Sequence, residues 1–350
     1  MKLTGLHLLL TYQCNYECDH CFVWGSPSQE GVMTLAQVRE IIRQAQKLGT
    51  VDWVYLEGGE PFLYYPLMVR AAQEAAEAGF RVGIVTNDYW ATTVEDAVEW
   101  LRPLAGILQD LSISTDLFHY DEVMSAQARN ALLAAERLGI PTDTIVCEVP
   151  EGGGQDARGP GAGKGEPLRF PSQKKEPQPT APTADSRERS VFPSQAKEPL
   201  RFPSQAKGEP VESGAIMFKG RAAVRLVEGV ERHPWRVFDE CPHEALDDPG
   251  RVHVDHLGHV HVCQGLTMGS LFERPLVELV DRYDPQAHPV VGPLLAGGPA
   301  ALVERYDVPH EDGYVDACHL CYMARRQLRD RFPQWLTPGQ MYGEYGGVGV

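Results

Sequence analysis

Three cysteines lie within eight residues near the start of the chain, at Cys14, Cys18 and Cys21. Thiolates at this C-x3-C-x2-C spacing can surround one metal centre. Structural zinc prefers four protein ligands, usually supplied as two pairs. Three cysteines without a local fourth ligand instead suit a [4Fe–4S] cluster with one iron left open. The spacing favours the open cluster, and a zinc site completed by a distant ligand is the alternative.

A second group of four cysteines lies in the last third of the chain, at Cys241, Cys263, Cys318 and Cys321. Four thiolates can complete a closed [4Fe–4S] cluster or a structural zinc site. Eight cysteines in 350 residues are too few for a disulfide scaffold. Two tight groups, in a chain whose first residues indicate a strand and not a signal peptide, favour metal ligation in the cytoplasm.

The elements that must position the first group follow an alternating strand and helix pattern. Apolar runs predict strands at 6–11, 53–56, 81–85, 108–114 and 144–149, with four amphipathic helices between them. Thr34 and Gln37 form a capping box that begins the first helix, and Gly49 ends it. The alternation predicts an α/β fold with a parallel sheet curled into a full or partial barrel. Cys14 follows the first strand, where such folds place their chemistry.

Residues 151–210 have a different composition, with many prolines and few aliphatic side chains. The tetrapeptide Phe-Pro-Ser-Gln recurs there at 170, 192 and 202. So little apolar surface cannot offset the entropy of ordering the chain. We predict a disordered, low-complexity insert made of duplicated repeats. The alternative is a docking arm whose PxxP-like segments bind a partner.

The net charge of −16 excludes some partner classes. A chain this acidic repels phosphate backbones and anionic bilayers, which argues against nucleic-acid and membrane-surface binding. No apolar run approaches the roughly 18 residues that a membrane span needs.

A turn with the sequence Gly58-Gly59-Glu60-Pro61 follows the second predicted strand. Together with the three cysteines after the first strand, it resembles the radical S-adenosylmethionine (SAM) enzymes. The resemblance implies that the cysteines hold the open [4Fe–4S] cluster and that this turn meets the methionyl amino group of SAM. The glycines would let backbone carbonyls approach the ammonium, and Glu60 would complement its charge.

Other cofactor-binding positions are implied by the same resemblance. His20 stands where the family usually has an aromatic residue near the adenine, Asn87 follows strand three, and Ser114 and Asp116 end the ribose-contacting strand. Arg221 resembles an arginine that some relatives place against the SAM carboxylate, where a bidentate fork fits. The alternatives are a loop histidine without a role, ordinary turn residues and an exposed arginine.

The fifth predicted strand offers two weak catalytic candidates, Cys147 and Glu148. Alternation places them on opposite faces. Because a barrel interior near an active site tolerates polar groups, we expect Glu148 to point inward and Cys147 to pack outward as a small apolar residue. A hydrogen-atom donor role for Cys147 is the alternative.

The second cysteine group resembles the SPASM/twitch auxiliary domains, whose pattern is Cys-x9–15-Gly-x4-Cys followed by further cysteines. Gly258 and Cys263 match, although sixteen residues separate Cys241 from Gly258, one beyond the usual range. Four cysteines allow one auxiliary cluster, so the twitch-like case with [4Fe–4S] is expected, and zinc is the alternative.

Four histidines crowd the same predicted hairpin, at His253, His256, His259 and His261. Because four cysteines already complete a site, we expect these to be strand-surface histidines. Trp235 and the Gly/Pro-rich stretch 289–299 are expected to serve packing or a lid.

The expected organisation is a radical SAM core at 1–150, the insert at 151–210, the end of the core at 211–240 and a twitch-like domain at 241–350. By resemblance, the protein is an oxidoreductase that cleaves SAM reductively to a 5′-deoxyadenosyl radical and abstracts hydrogen from a peptide or small-molecule substrate. A flavodoxin or ferredoxin would be the electron donor. The alternative is a non-catalytic iron–sulfur electron-transfer or cluster-assembly protein.

Overall fold

The computed structural model describes residues 1–150, 201–203, 210–212 and 216–344. Within them the strands are β1 (Gly5–Leu9), β2 (Trp53–Glu57), β3 (Arg81–Thr86), β4 (Leu108–Ser114), β5 (Thr142–Ile145), β6 (Arg201–Pro203), β7 (Pro210–Glu212), β8 (His233–Pro234), β9 (Arg251–Asp255), β10 (His259–Cys263), β11 (Leu266–Ser270) and β12 (Gly313–Tyr314). The α-helices are α1 (Leu35–Leu48), α2 (Tyr65–Glu77), α3 (Val94–Leu101), α4 (Ala126–Leu138), α5 (Ala222–Arg225), α6 (Leu276–Arg282), α7 (Val291–Tyr306) and α8 (Ala317–Gln327).

One eight-stranded sheet organises the molecule, with the strand order β11-β10-β9-β1-β2-β3-β4-β5. The first five strands are parallel neighbours in chain order, which confirms the predicted partial β/α barrel. On the other side of β1, β9 also runs parallel, with His7 paired to His253. The hairpin β9–β10, expected in a separate C-terminal unit, therefore continues the sheet of the core.

The two faces of the sheet differ in character. Leu6, Leu8, Val54 and Leu56 are at most 1% exposed and form part of the core, as strands covered by crossover helices should. Helix α1 begins at the predicted Thr34–Gln37 capping box and ends at Gly49 in the left-handed conformation.

The opposite face, by strand alternation, carries His7, Tyr55, Gly83 and Asp143. Tyr55 and Asp143 are only half-buried. This face is the one left to receive a ligand.

The structure bears on three predicted local features. Strand β5 ends at Ile145, four residues before the predicted end. The Gly/Pro-rich stretch contributes to α7, which is interrupted at Gly297 and Gly298 by non-helical backbone. Trp235 is buried, in line with a packing role.

The predicted insert falls largely outside the described residues. Within it the structure describes β6, which pairs antiparallel with β7 at the end of the insert. The expectation of disorder for the rest stays a prediction. In the described residues, no helix is both long and apolar enough to cross a bilayer.

Candidate functional site

The first cysteine site consists of the thiols of Cys14, Cys18 and Cys21 on the loop after β1. Cys14 and Cys18 are each 8% exposed. Burial first, and then the proximity of the other thiols, raises the pKa of Cys18 well above its usual value. Two buried thiols that interact with each other and with the half-buried Cys21 are unfavourable as thiolates unless a cation joins them.

Amide donors already face these sulfurs. The Gly25 amide lies 3.1 Å from Cys21 Sγ and the Tyr16 amide 3.4 Å from Cys14 Sγ. Asn87 Nδ2 lies 3.5 Å from Cys14 Sγ. Donors around a sulfur stabilise a bound thiolate. The residues therefore fit the iron–sulfur cluster that the spacing predicts.

The Gly58-Gly59 turn packs directly against the backbone of the cysteine loop. The Gly59 amide donates to Thr11 O at 2.7 Å, and the Glu60 amide donates to Gln13 O at 2.9 Å. A Cβ on Gly59 would lie 2.1 Å from Gln13 O. In the part of the chain that the structure describes, the Gly-Gly turn and the cysteine loop lie so close together that a side chain at Gly59 would collide with backbone. The expected approach to a SAM ammonium stays a prediction.

Glu60 joins the ends of β2 and β3 from a fully buried position. Its carboxylate accepts from the Phe62 amide at 3.0 Å, the Thr86 hydroxyl at 2.9 Å and the Asn87 amide at 2.8 Å. Burial raises the pKa of Glu60 to about 7, because its effect is larger than the opposite effect of these hydrogen bonds. Pro61 begins the short 3-10 helix that Glu60 caps. The Glu60 carboxylate therefore links the loop after β2 to the end of β3 and the loop that follows it.

Asn87 and Asp88 continue this link after β3. Asn87 Nδ2 also donates to Asn15 Oδ1 at 2.9 Å, on the cysteine loop. Asp88, which has a positive φ of 55°, is fully buried and accepts from the Tyr120 hydroxyl. Burial raises the pKa of Asp88 to about 8.

Asp116 and His20, predicted separately, lie together. Asp116 accepts from His119 Nδ1 at 2.9 Å and from the Phe118 amide at 3.0 Å, while its Oδ2 lies 3.6 Å from His20 Nε2. Burial would raise the pKa of Asp116, but hydrogen bonding and the charges of His119 and His20 hold it at about 2. His20 also stacks on Phe118 at 4.6 Å. Ser114, half-buried, ends β4 beside them. Their predicted contacts with SAM stay predictions.

The orientation expected for the fifth strand is wrong. Because β5 ends at Ile145, the strand alternation does not extend to Cys147 and Glu148. Glu148 is exposed, whereas the Cys147 amide donates to Asp116 Oδ2 at 3.3 Å. Burial, and then the Asp116 charge, raises the pKa of the Cys147 thiol to about 12. Their catalytic roles stay predictions.

Arg221 is 1% exposed and holds the cysteine loop from beneath. Its guanidinium donates to Cys18 O at 2.7 Å and to Gly25 O at 2.8 Å, and its amide donates to Cys21 O at 2.9 Å. The alternative of an exposed arginine is wrong. Gly220 has a positive φ of 63°, and a Cβ there would lie 2.6 Å from Cys21 O. The predicted contact with a SAM carboxylate stays a prediction.

The second cysteine site gathers the four remaining grouped cysteines around one cavity. Cys241, Cys263, Cys318 and Cys321 line it, together with Lys219 and Arg325. All four cysteines are free thiols. Burial raises the pKa of Cys321 to about 12, with Arg325 opposing the rise. The hairpin and α8 thus bring together the thiols whose grouping the sequence predicted.

The expectation of strand-surface histidines is wrong for three of the four. His253, His256 and His261 are less than 9% exposed. Asp255 explains part of this burial, because its carboxylate lies 2.9 Å from His259 Nδ1 and 3.3 Å from His261 Nε2. The pairing of β9 with β1 makes β9 an interior strand of the eight-stranded sheet, where its side chains have neighbours on both sides.

Several site residues were not predicted. His119 and Tyr120 follow Asp116 in the same loop, and the Asp-x-x-His spacing is the sequence signal that could have found the first. On the sheet, His7 and His253 flank Glu57, and His7 Nδ1 is hydrogen-bonded to its carboxylate. Only the register of three strands brings this group together.

A parallel sheet whose first loop gathers three thiols beneath a Gly-Gly-Glu-Pro turn defines a class of β/α-barrel proteins that bind an iron–sulfur cluster. Residues 8–147 match the family model of the Radical SAM superfamily. This part of the chain is thus similar to the radical SAM domain, and members of that superfamily use a [4Fe–4S] cluster and SAM.

Two curated relatives match about a third of the chain. The chain is 26% identical over 124 residues to the YydG protein of Bacillus subtilis (strain 168), whose name assigns it provisionally to peptide biosynthesis; the match covers 35% of this chain and 39% of that protein. It is 31% identical over 123 residues to a tungsten-containing aldehyde ferredoxin oxidoreductase cofactor-modifying protein of Pyrococcus furiosus, covering 35% and 32%. The chain thus spans about a third of the length of these relatives.

Two solved structures are similar to the whole arrangement at low identity. BtrN in complex with AdoMet and 2-DOIA has a TM-score of 0.39 at 13% identity, covering 79% of this chain and 81% of that one. SuiB of Streptococcus suis bound to the precursor peptide SuiA has a TM-score of 0.41 at 11% identity, covering 91% and 76%.

Proposed function

We propose that this protein is a radical SAM oxidoreductase that oxidatively modifies a peptide or a small molecule. The observation that carries the proposal is the convergence of the three cysteine thiols, the Gly58-Gly59-Glu60-Pro61 turn and Asn87 at the ends of three adjacent strands. When bound at Cys14, Cys18 and Cys21, the cluster supplies the electron that cleaves SAM to methionine and a 5′-deoxyadenosyl radical.

The chain's own residues would bind SAM and keep water from it. The loops after β2, β3 and β4 surround the cysteine loop, so a SAM molecule bound there meets Glu60, Asn87 and Asp116. In this proposal His20 or its stacking partner Phe118 covers the adenine, and Arg221 fixes the loop that carries the cysteines. Exclusion of water protects a reactive intermediate.

The second cysteine site is proposed to hold a closed [4Fe–4S] cluster in a twitch-like C-terminal region. Four thiols with two cations at one buried cavity support this assignment. A cluster held by these cysteines would supply an acceptor for the one electron that must leave the substrate, together with a proton, after a hydrogen atom has been removed from it. The net change is a two-electron oxidation of the substrate.

The half-buried face of the sheet is the proposed place for the substrate. Tyr55, Asp110 and Asp143 lie on it and are partly accessible. The peptide assignment is supported by the name of the Bacillus relative, and a small molecule is the second candidate. We further propose a cytoplasmic protein reduced by a flavodoxin or ferredoxin.

Anaerobic reconstitution with iron, sulfide, SAM and dithionite tests the proposal. Wild type should release 5′-deoxyadenosine, and Cys14→Ala, Cys18→Ala and Cys21→Ala should each abolish that release. Lys47→Met, which changes an exposed side chain on α1, is the control. Release by any of the three variants at the wild-type rate would end the assignment. Absence of release from fully loaded wild type would favour the alternative of a non-catalytic electron-transfer or cluster-assembly protein.

A further inference from the structure

A single tripeptide, Lys219-Gly220-Arg221, contacts both cysteine sites. Arg221 holds the first loop through the carbonyls of Cys18 and Gly25. Gly220 allows the tripeptide to lie against Cys21 O, where any side chain would collide. Two residues before Arg221, the Lys219 side chain lines the second cysteine cavity. The position of the lysine in the second site is therefore fixed by contacts made at the first.

Lys219 is 5% exposed, which is unusual for a lysine. Its ammonium lies 3.7 Å from Glu244 Oε1 and within electrostatic range of the thiols of Cys263 and Cys318. Glu244 is shared, since its other oxygen lies 3.8 Å from Arg251. Because the single carboxylate of Glu244 faces two cations, Lys219 and Arg251, a net positive charge remains near the thiols.

Arg325 adds a second buried cation to the same cavity. It is 2% exposed and donates to Gln264 O at 2.8 Å. Its Nε is buried with no hydrogen-bond partner in the part of the chain that the structure describes. A cavity lined by four thiols, two buried cations and an unpaired donor fits an anionic occupant such as a cluster with thiolate ligands.

We propose that Lys219 sets the reduction potential of the second cysteine site, and that Gly220 and Arg221 hold it in place by anchoring the same tripeptide to the first cysteine loop. The role as an electron acceptor rests on the proposed function. One-electron reduction makes the site more negative by one unit, and a buried ammonium beside it stabilises the reduced state. Lys219 thus makes the second site a better electron acceptor. Because Gly220 and Arg221 contact the first cysteine loop, the position of Lys219 depends on the correct folding of that loop.

The experiment is an anaerobic redox titration of the iron-loaded full chain, followed by EPR. The signal that changes when SAM is added belongs to the first site and is the internal reference. Lys219→Met, which keeps the length and removes the charge, should disfavour reduction of the second site at least tenfold, or about 59 mV for a one-electron couple. Lys219→Arg should restore the wild-type potential.

A charge change of opposite sign sharpens the test. Glu244→Gln should shift the potential of the second site upward, because it removes a negative charge from the same cavity. Lys47→Met removes an exposed lysine on α1 and should change neither site. If Lys219→Met does not retain its cluster, the potential measured for Glu244→Gln tests the proposal.

An unchanged potential in Glu244→Gln or in a fully loaded Lys219→Met, or a second site without reducible iron, would overturn the proposal. Release of 5′-deoxyadenosine is measured in the same preparations. A protein that shows the expected shifts but does not cleave SAM would refute the proposed function and leave this inference standing.

Discussion

Gly59→Ala perturbs the contact between the Gly-Gly turn and the cysteine loop by a single methyl group. The added Cβ would lie 2.1 Å from Gln13 O and 2.6 Å from Tyr12 O, and both contacts are with backbone that cannot rotate away. Either the turn or the cysteine loop must move by about 1 Å, since ordinary contacts of this kind exceed about 3 Å.

The cost follows from what that movement breaks. The Gly59 amide bond to Thr11 O and the Glu60 amide bond to Gln13 O join the two loops. Losing two hydrogen bonds costs about 1–3 kcal/mol, and overpacking adds about 1–3 kcal/mol. A destabilisation of roughly 2–6 kcal/mol should lower the melting temperature by roughly 5–15 °C.

The assay is thermal unfolding of the iron-loaded protein, with iron content and 5′-deoxyadenosine release measured in parallel. Gly250→Ala is the matched control, because a Cβ there meets one side-chain atom at 3.8 Å and the backbone is unstrained. We expect Gly59→Ala to lose stability and SAM cleavage while Gly250→Ala keeps both. Equal melting temperatures and equal release for the two variants would refute the steric reasoning.

Three further predictions concern the surroundings of the site. Burial raises the pKa of Asp88 from 3.8 to about 8, so between these pH values the folded chain keeps a proton that the unfolded chain releases. The contribution of Asp88 to stability therefore falls as the pH rises from 3.8 to about 8. Asp88→Asn keeps an acceptor for Tyr120 and should make the urea midpoint depend less on pH. Arg221→Lys cannot span two carbonyls and should cost up to about four iron atoms per chain by iron analysis, whereas full retention would argue against its hold on the Cys18 loop. Prolonged anaerobic iron chelation should lower the melting temperature, because metal sites that join distant segments stabilise folds; an unchanged melting curve would show that protein contacts suffice.

Local signals predicted the core of the fold well. The capping box at Thr34 and the glycine after α1 reflect hydrogen bonds within a few residues, and both are present. The hairpin around Gly258 was predicted for the same reason. Its parallel pairing with β1 was not, because no local pattern in β1 encodes a partner that begins at Arg251.

The site was predictable where spacing alone defines it. The two cysteine groups and the turn at Gly58 could be read from the chain, and Cys241, Cys263, Cys318 and Cys321 line one cavity. The buried contacts of Arg221 depend on a loop 203 residues away in sequence, and those of Lys219 on cysteines between 22 and about 100 residues away. Strand alternation failed at Glu148 because β5 stops early, and only the tertiary structure sets where a strand ends.

The position of β1 between β2 and β9 has a consequence for how the protein is made. β1 is synthesised before the other strands of its sheet, yet one of its two neighbours is synthesised only from Arg251 onward. Until then β1 is an edge strand with unpaired backbone groups, which is a template for aggregation. Arg221 also emerges well after the loop it holds. The contacts that hold the Cys18 loop and both edges of β1 can therefore be complete only late in synthesis, after the chain has passed first Arg221 and then the β9 hairpin.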